Sequence, residues 1–100
     1  MTTRAVVVSN ELGLHARAAA RFVQLATRFA SHIRVGRDAK VMDGKSILGI
    51  LLLAASRGTT LTISAEGPDE QRAVEALVRL VESGFAEPST ALGPGESWNV

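Results

Sequence analysis

Thr60-Leu61-Thr62-Ile63-Ser64-Ala65 alternates polar and apolar residues without a break, and that alternation decides the fold. Successive side chains of a strand point to opposite faces, so Leu61, Ile63 and Ala65 line one face while Thr60, Thr62 and Ser64 line the other. A strand buried on one side only belongs to an antiparallel sheet with water on its far side; strands covered on both faces read as continuous apolar runs. Ser31-His32-Ile33-Arg34-Val35 repeats the pattern, with Ile33 and Val35 inward and His32 and Arg34 outward. Two shorter strands complete the set. Arg4-Ala5-Val6-Val7-Val8-Ser9 is β-branched, and Ala39-Lys40-Val41-Met42 follows the turn Gly36-Arg37-Asp38 as the second arm of a hairpin.

Helices must cover the apolar face. From Ala16 to Ala30, residues Ala19, Phe22, Val23, Ala26 and Phe29 or Ala30 recur at helical spacing, with Arg17, Arg21, Gln24 and Arg28 on the opposite side. Ser46 is placed to cap a helix over Ile47 to Ala55, which Gly58 closes. Gly67-Pro68-Asp69-Glu70 opens a last helix with acids in its first turn, and Ala73, Val74, Leu77, Leu80 and Val81 mark its buried stripe. The order β-α-β-β-α-β-α predicts an α+β, two-layer open-faced β-sandwich, a four-stranded antiparallel sheet with three helices on one face. Residues 1–86 form this domain. Residues 87–100, with Pro88, Gly93, Pro94 and Gly95 and no periodicity, read as a mobile C-terminal extension.

One hundred residues suit one domain, and 46% hydrophobic with 21% charged residues is ordinary for a globular protein. With no cysteine and two histidines, neither a disulfide framework nor a metal site is expected, and nothing calls for a cofactor. The apolar run Ile47 to Ala55 is far shorter than the roughly 20 residues of a membrane span. No signal peptide is visible, so the expected location is cytoplasmic without membrane insertion. A net charge of +1 speaks against nucleic acid as partner. Arg17, Arg21, Arg28, Arg34, Arg37 and Lys40 nevertheless gather in the first half, where a positive surface suits acidic proteins.

Gly13-Leu14-His15-Ala16-Arg17 lies where a strand gives way to a helix. The first N–H groups of a helix have no partner inside it, and together with the helix dipole they favour an anion. A lone histidine at such a place is ordinarily a capping or core residue. Here Arg17 follows two residues later, so a phosphoryl group taken up by the imidazole would meet the backbone N–H groups of Ala16 and Arg17 and the Arg17 guanidinium.

Gly13-Leu14-His15-Ala16-Arg17-Ala18-Ala19 resembles the active-site motif of the histidine-containing phosphocarrier family of the phosphoenolpyruvate-dependent phosphotransferase system. Lys40 through Leu51, with Asp43-Gly44-Lys45-Ser46 at its centre, resembles that family's serine regulatory motif at the expected distance. The likeness spans about residues 4 to 85. It implies a phosphoryl carrier rather than an enzyme: His15 accepts phosphate, on Nδ1, from an Enzyme I-type donor and passes it to a IIA-type acceptor, with Arg17 stabilising the charge. It further implies regulatory phosphorylation at Ser46 by a serine kinase/phosphorylase, and a monomer. Two departures stand out: Ala18 replaces the family's usual proline, and residues 87–100 exceed the usual length.

Serine at an N-cap already saves about 1 kcal/mol of helix stability, so Ser46 has a structural role whether or not it is modified. A phosphate there would add roughly −2 charge to the surrounding surface. Gly44-Lys45-Ser46 is not the end of a nucleotide-binding loop, because Ala39 stands where that loop needs glycine. Ile47, Leu48, Ile50, Leu51, Leu52 and Leu53 are apolar all round a short helix that cannot bury its whole circumference. Ile47, Leu48 and Leu51, ringed by Arg17 and Arg21, are the expected docking residues. The competing reading is a regulatory binding module of a nitrogen-type or carbon-control phosphorelay, not coupled to sugar transport; such a module could dispense with His15 and Arg17.

Overall fold

A computed structural model of the chain describes residues 1–86. In chain order it contains β1 (Thr2–Val7), α1 (Ala16–Ala26), β2 (His32–Arg37), β3 (Lys40–Asp43), α2 (Ile47–Leu52), β4 (Thr60–Glu66) and α3 (Glu70–Glu82). The four strands form one antiparallel sheet in the order β1-β4-β2-β3. Register keeps the alternation in phase across the sheet: Val6 lies opposite Leu61, and Val35 opposite Ile63. All four side chains are buried, together with Ile33 and Ala65. The outward residues Thr60, Thr62, His32 and Arg34 are exposed. Helix α1 adds Ala18, Ala19, Phe22, Val23 and Ala26 to the core, and α3 adds Ala73, Val74, Leu77, Val78 and Val81. The expected open-faced sandwich is the observed one. The extension read over residues 87–100 lies outside the described residues.

Element ends differ from the sequence reading, each for an identifiable reason. Helix α1 stops at Ala26 instead of Ala30. The Thr27 hydroxyl turns back to the Gln24 carbonyl, and three-residue hydrogen bonds from Arg28 and Phe29 tighten the chain out of the helix. Lys45 Nζ then donates to the Phe29 carbonyl at 2.8 Å. Helix α2 stops at Leu52 instead of Ala55, because Ala54 adopts φ 50° and Arg37 Nη1 donates to the carbonyls of Leu53 (2.9 Å) and Ala54 (2.6 Å). Gly58 does not close α2. It turns the chain into β4 with its N–H on the Val8 carbonyl. In the hairpin Arg37 pairs with Lys40, so Asp38 and Ala39 form the tip, one residue later than read. On α3, Val78 occupies the buried stripe and Leu80 is half-buried beside it.

Candidate functional site

The segment between β1 and α1 is held from behind by the chain leaving α2. Leu14 N–H donates to the Ala55 carbonyl at 2.9 Å, and the Leu14 side chain is buried. Gly13 has φ 64°, and a Cβ there would run into the Ala55 carbonyl oxygen and lie 2.9 Å from Ser56 Cα. Only glycine fits. The Asn10 side-chain amide donates to the Gly13 carbonyl at 2.8 Å and closes the turn. These contacts fix the backbone just before His15.

His15 is the N-cap of α1, in extended conformation (φ −78°, ψ 178°), and its carbonyl takes the first helical hydrogen bond from Ala19 N–H at 2.9 Å. The imidazole makes no capping bond to the helix, and no acid lies in the first turn to oppose an anion. His15 is half-buried, and Ala16 and Arg17 are exposed, so the start of α1 faces solvent. Ala18, in the first turn, is fully buried against the core.

Ser46 caps α2 as read from the sequence. Its hydroxyl accepts from Gly49 N–H at 3.0 Å, and its carbonyl from Ile50 N–H at 3.0 Å. His15 and Ser46 thus attend opposite ends of α2: Ala55, beyond its C-terminus, supports the His15 turn, and Ser46 starts its first turn. Six residues of helix are about 9 Å long.

Of the expected docking residues, Ile47 (44% exposed) and Leu48 (67%) reach solvent. Leu51 is half-buried against the core, and Leu52 (52%) takes its place on the surface, since Ile50 and Leu53 are the residues turned inward. Leu12, 71% exposed in the turn before His15, adds an apolar residue that the sequence reading passed over. Its signal was a leucine in a turn with no periodic partner. Arg21 is half-buried, and its Nη1 donates to the carbonyls of Phe85 (2.9 Å) and Ala86 (2.7 Å). Its guanidinium therefore latches the end of α3.

The model of the family described as PTS-HPr, PTS HPr component phosphorylation site, matches residues 2–83. The phosphocarrier protein HPr of Cupriavidus necator is 45% identical over 87 residues, which are 87% of this chain and 98% of that protein. The crystal structure of HPr-C-His from Thermoanaerobacter tengcongensis aligns with a TM-score of 0.84 at 47% identity, covering 89% of this chain and 100% of the other. The crystal structure of an HPr dimer from the same organism aligns with a TM-score of 0.69 at 48% identity, covering 87% and 100%.

Proposed function

The chain belongs to the HPr family, phosphocarriers of the phosphotransferase system rather than catalytic enzymes, and on that footing we propose that His15 is the residue that carries the phosphoryl group. The observation that carries this assignment is the placement of His15 as an extended N-cap, with the first N–H groups of α1 following it and no first-turn acid. In the transfer, an imidazole nitrogen attacks the phosphorus of an Enzyme I-type donor's phosphohistidine. One N–P bond forms as another breaks, and the donor's imidazole leaves with the bonding pair. The backbone N–H groups of Ala16 and Arg17 and the Arg17 guanidinium hold the phosphoryl oxygens. The group then passes to a IIA-type acceptor by the same exchange in reverse. A shuttle of this kind needs an open site, and the exposed helix start supports it.

Incubation with phosphoenolpyruvate and an Enzyme I should give an acid-labile phosphate that is lost in His15→Ala. Its persistence in that variant would sink the assignment. Arg17→Ala should keep the phosphate but slow its uptake.

Ile47, Leu48 and Leu52 form the docking face for these partners, with Leu51 supporting it from beneath. Ser46 at its edge is the regulatory position, acted on by a serine kinase/phosphorylase. Ser46→Asp retains an N-capping oxygen while adding charge. It should therefore fold normally and accept phosphate from the donor more slowly; acceptance at the unmodified rate would remove Ser46 from regulation. We place the carrier in the cytoplasm and take it to act as a monomer, which sedimentation at micromolar concentration checks. No helix among the described residues is long and apolar enough to cross a membrane.

A further inference from the structure

Among the described residues, four that are not glycine have positive φ: Asp38 (53°), Ala54 (50°), Phe85 (61°) and Ala86 (56°). Aspartate tolerates this region, because its short polar side chain can bond locally, whereas alanine and phenylalanine are strained there. Each of the three strained residues has its carbonyl held by an arginine. Arg21 Nη1 donates to those of Phe85 and Ala86, and Arg37 Nη1 donates to that of Ala54 at 2.6 Å and to that of Leu53 at 2.9 Å. Backbone in a sparsely populated region persists where its surroundings impose it, and a guanidinium fixed on the carbonyl is such a constraint.

Ala54 stands next to the turn that carries His15. Its methyl is exposed, whereas Ala55 is buried. From the left-handed turn at Ala54 the chain brings the Ala55 carbonyl to Leu14 N–H at 2.9 Å, in the space behind Gly13. His15 N–H in turn donates to the Gly13 carbonyl at 3.0 Å. Arg37 lies at the far end of this run of contacts. It follows Ile33 and Val35 on the inward row of β2, a strand flanked by β4 and β3, and is half-buried. Its Nε lies 3.5 Å from Asp38 Oδ2, so the guanidinium has a partner on its other edge.

We propose that Arg37 is a positioning residue for phosphoryl transfer. By holding the Ala54 carbonyl it keeps Ala54 left-handed, keeps the Ala55 carbonyl on Leu14 N–H, and so sets where His15 stands at the start of α1. The link to transfer rests on His15 as the carrier; the backbone coupling from Arg37 to Leu14 does not.

Two readouts separate the coupling from its consequence. The Leu14 amide proton resonance reports its hydrogen bond within the folded protein, and a loss of overall stability does not shift it. Arg37→Met keeps an apolar stem and loses the donors. In that variant the resonance should move upfield, and phosphoryl uptake from Enzyme I, measured well below the unfolding midpoint, should fall about tenfold, since small misplacements of a reacting group are costly. Glycine takes a left-handed backbone without strain, so adding Ala54→Gly should return both readouts toward the parent. A single variant that fails to fold, beside a double variant that folds with the Leu14 resonance in place, supports the proposal equally. An unmoved resonance in Arg37→Met would overturn the coupling, as would a displacement that Ala54→Gly leaves uncorrected. Uptake at the parent rate despite a displaced resonance would remove Arg37 from phosphoryl transfer. Acid-labile phosphate surviving in His15→Ala would overturn the link to transfer and leave the Leu14 coupling standing.

Discussion

Gly13 answers two demands at once that no residue with a side chain could meet. Its φ of 64° disfavours a side chain, and the Ala55 carbonyl occupies the space a Cβ would need. Gly58 carries only the first demand, with φ 90° and nothing within 4 Å of the Cβ position. Gly58→Ala should therefore cost about 1 kcal/mol of left-handed strain, and Gly13→Ala a further increment, to about 3 kcal/mol. Urea unfolding of the two variants checks the order, and Gly13→Ala should also slow phosphoryl uptake by displacing His15. Equal destabilisation would mean that the Ala55 contact relaxes without cost. The placement of His15 at a helix start was legible in the sequence because its cues are local: a turn followed by the first residues of an amphipathic helix. The support from Ala55 was not, since nothing near Gly13 indicates which distant carbonyl stands behind it.

At the scale of elements, the first turn of α3 gathers the outer strand and the loop before it. Glu70 Oε2 accepts from the Thr2 hydroxyl at 2.7 Å and pairs with the N-terminal ammonium at 3.1 Å, and Oε1 accepts from Gly67 N–H at 3.2 Å. The Thr2 hydroxyl first, then the Gly67 N–H and the ammonium, pull the Glu70 carboxyl down from 4.5 to about 2. Asp69 beside it is also lowered, chiefly by the Ser31 hydroxyl and the Ala30 N–H. A depressed folded-state pKa means that the unfolded chain binds the proton more readily. Glu70 thus contributes stability in full above about pH 4.5, and that contribution shrinks as the pH falls toward 2. Glu70→Gln should be less stable at neutral pH and show a flatter decline across this window, the remaining slope coming from Asp69; urea midpoints at a series of pH values read it directly. Acids at the start of α3 were evident from the sequence. Their partners, Thr2 and Ser31, lie in segments far along the chain and gave no local sign.

Among the described residues, three basic side chains each secure the chain at the end of a helix they do not belong to. Arg21 holds the end of α3, Arg37 the exit from α2, and Lys45 the turn that follows α1. This explains why the strands were readable and the helix ends were not. Alternation in Leu61-Thr62-Ile63 is a property of neighbours, whereas Ala54 leaves α2 because of an arginine in β2. Likewise, which of Leu51 and Leu52 reaches solvent depends on how a two-turn helix is rotated over the sheet. Hydrogen bonds from charged donors contribute about 1.5–3 kcal/mol each. Arg21→Met and Arg37→Met should each destabilise the fold by about that amount, and the double variant by their sum within about 0.5 kcal/mol, since they share no partner. A larger discrepancy in a double-mutant cycle would reveal coupling between the two ends. The sheet order has a further consequence, in time. Strand β1 has only β4 as a neighbour, Thr2 opposite Ala65, and the turn before His15 waits for Ala55. At ~5–20 residues per second of synthesis, several seconds separate the emergence of His15 from that of Glu66. A nascent chain thus displays its histidine before Ala55 and β4 have arrived to hold the turn that positions it.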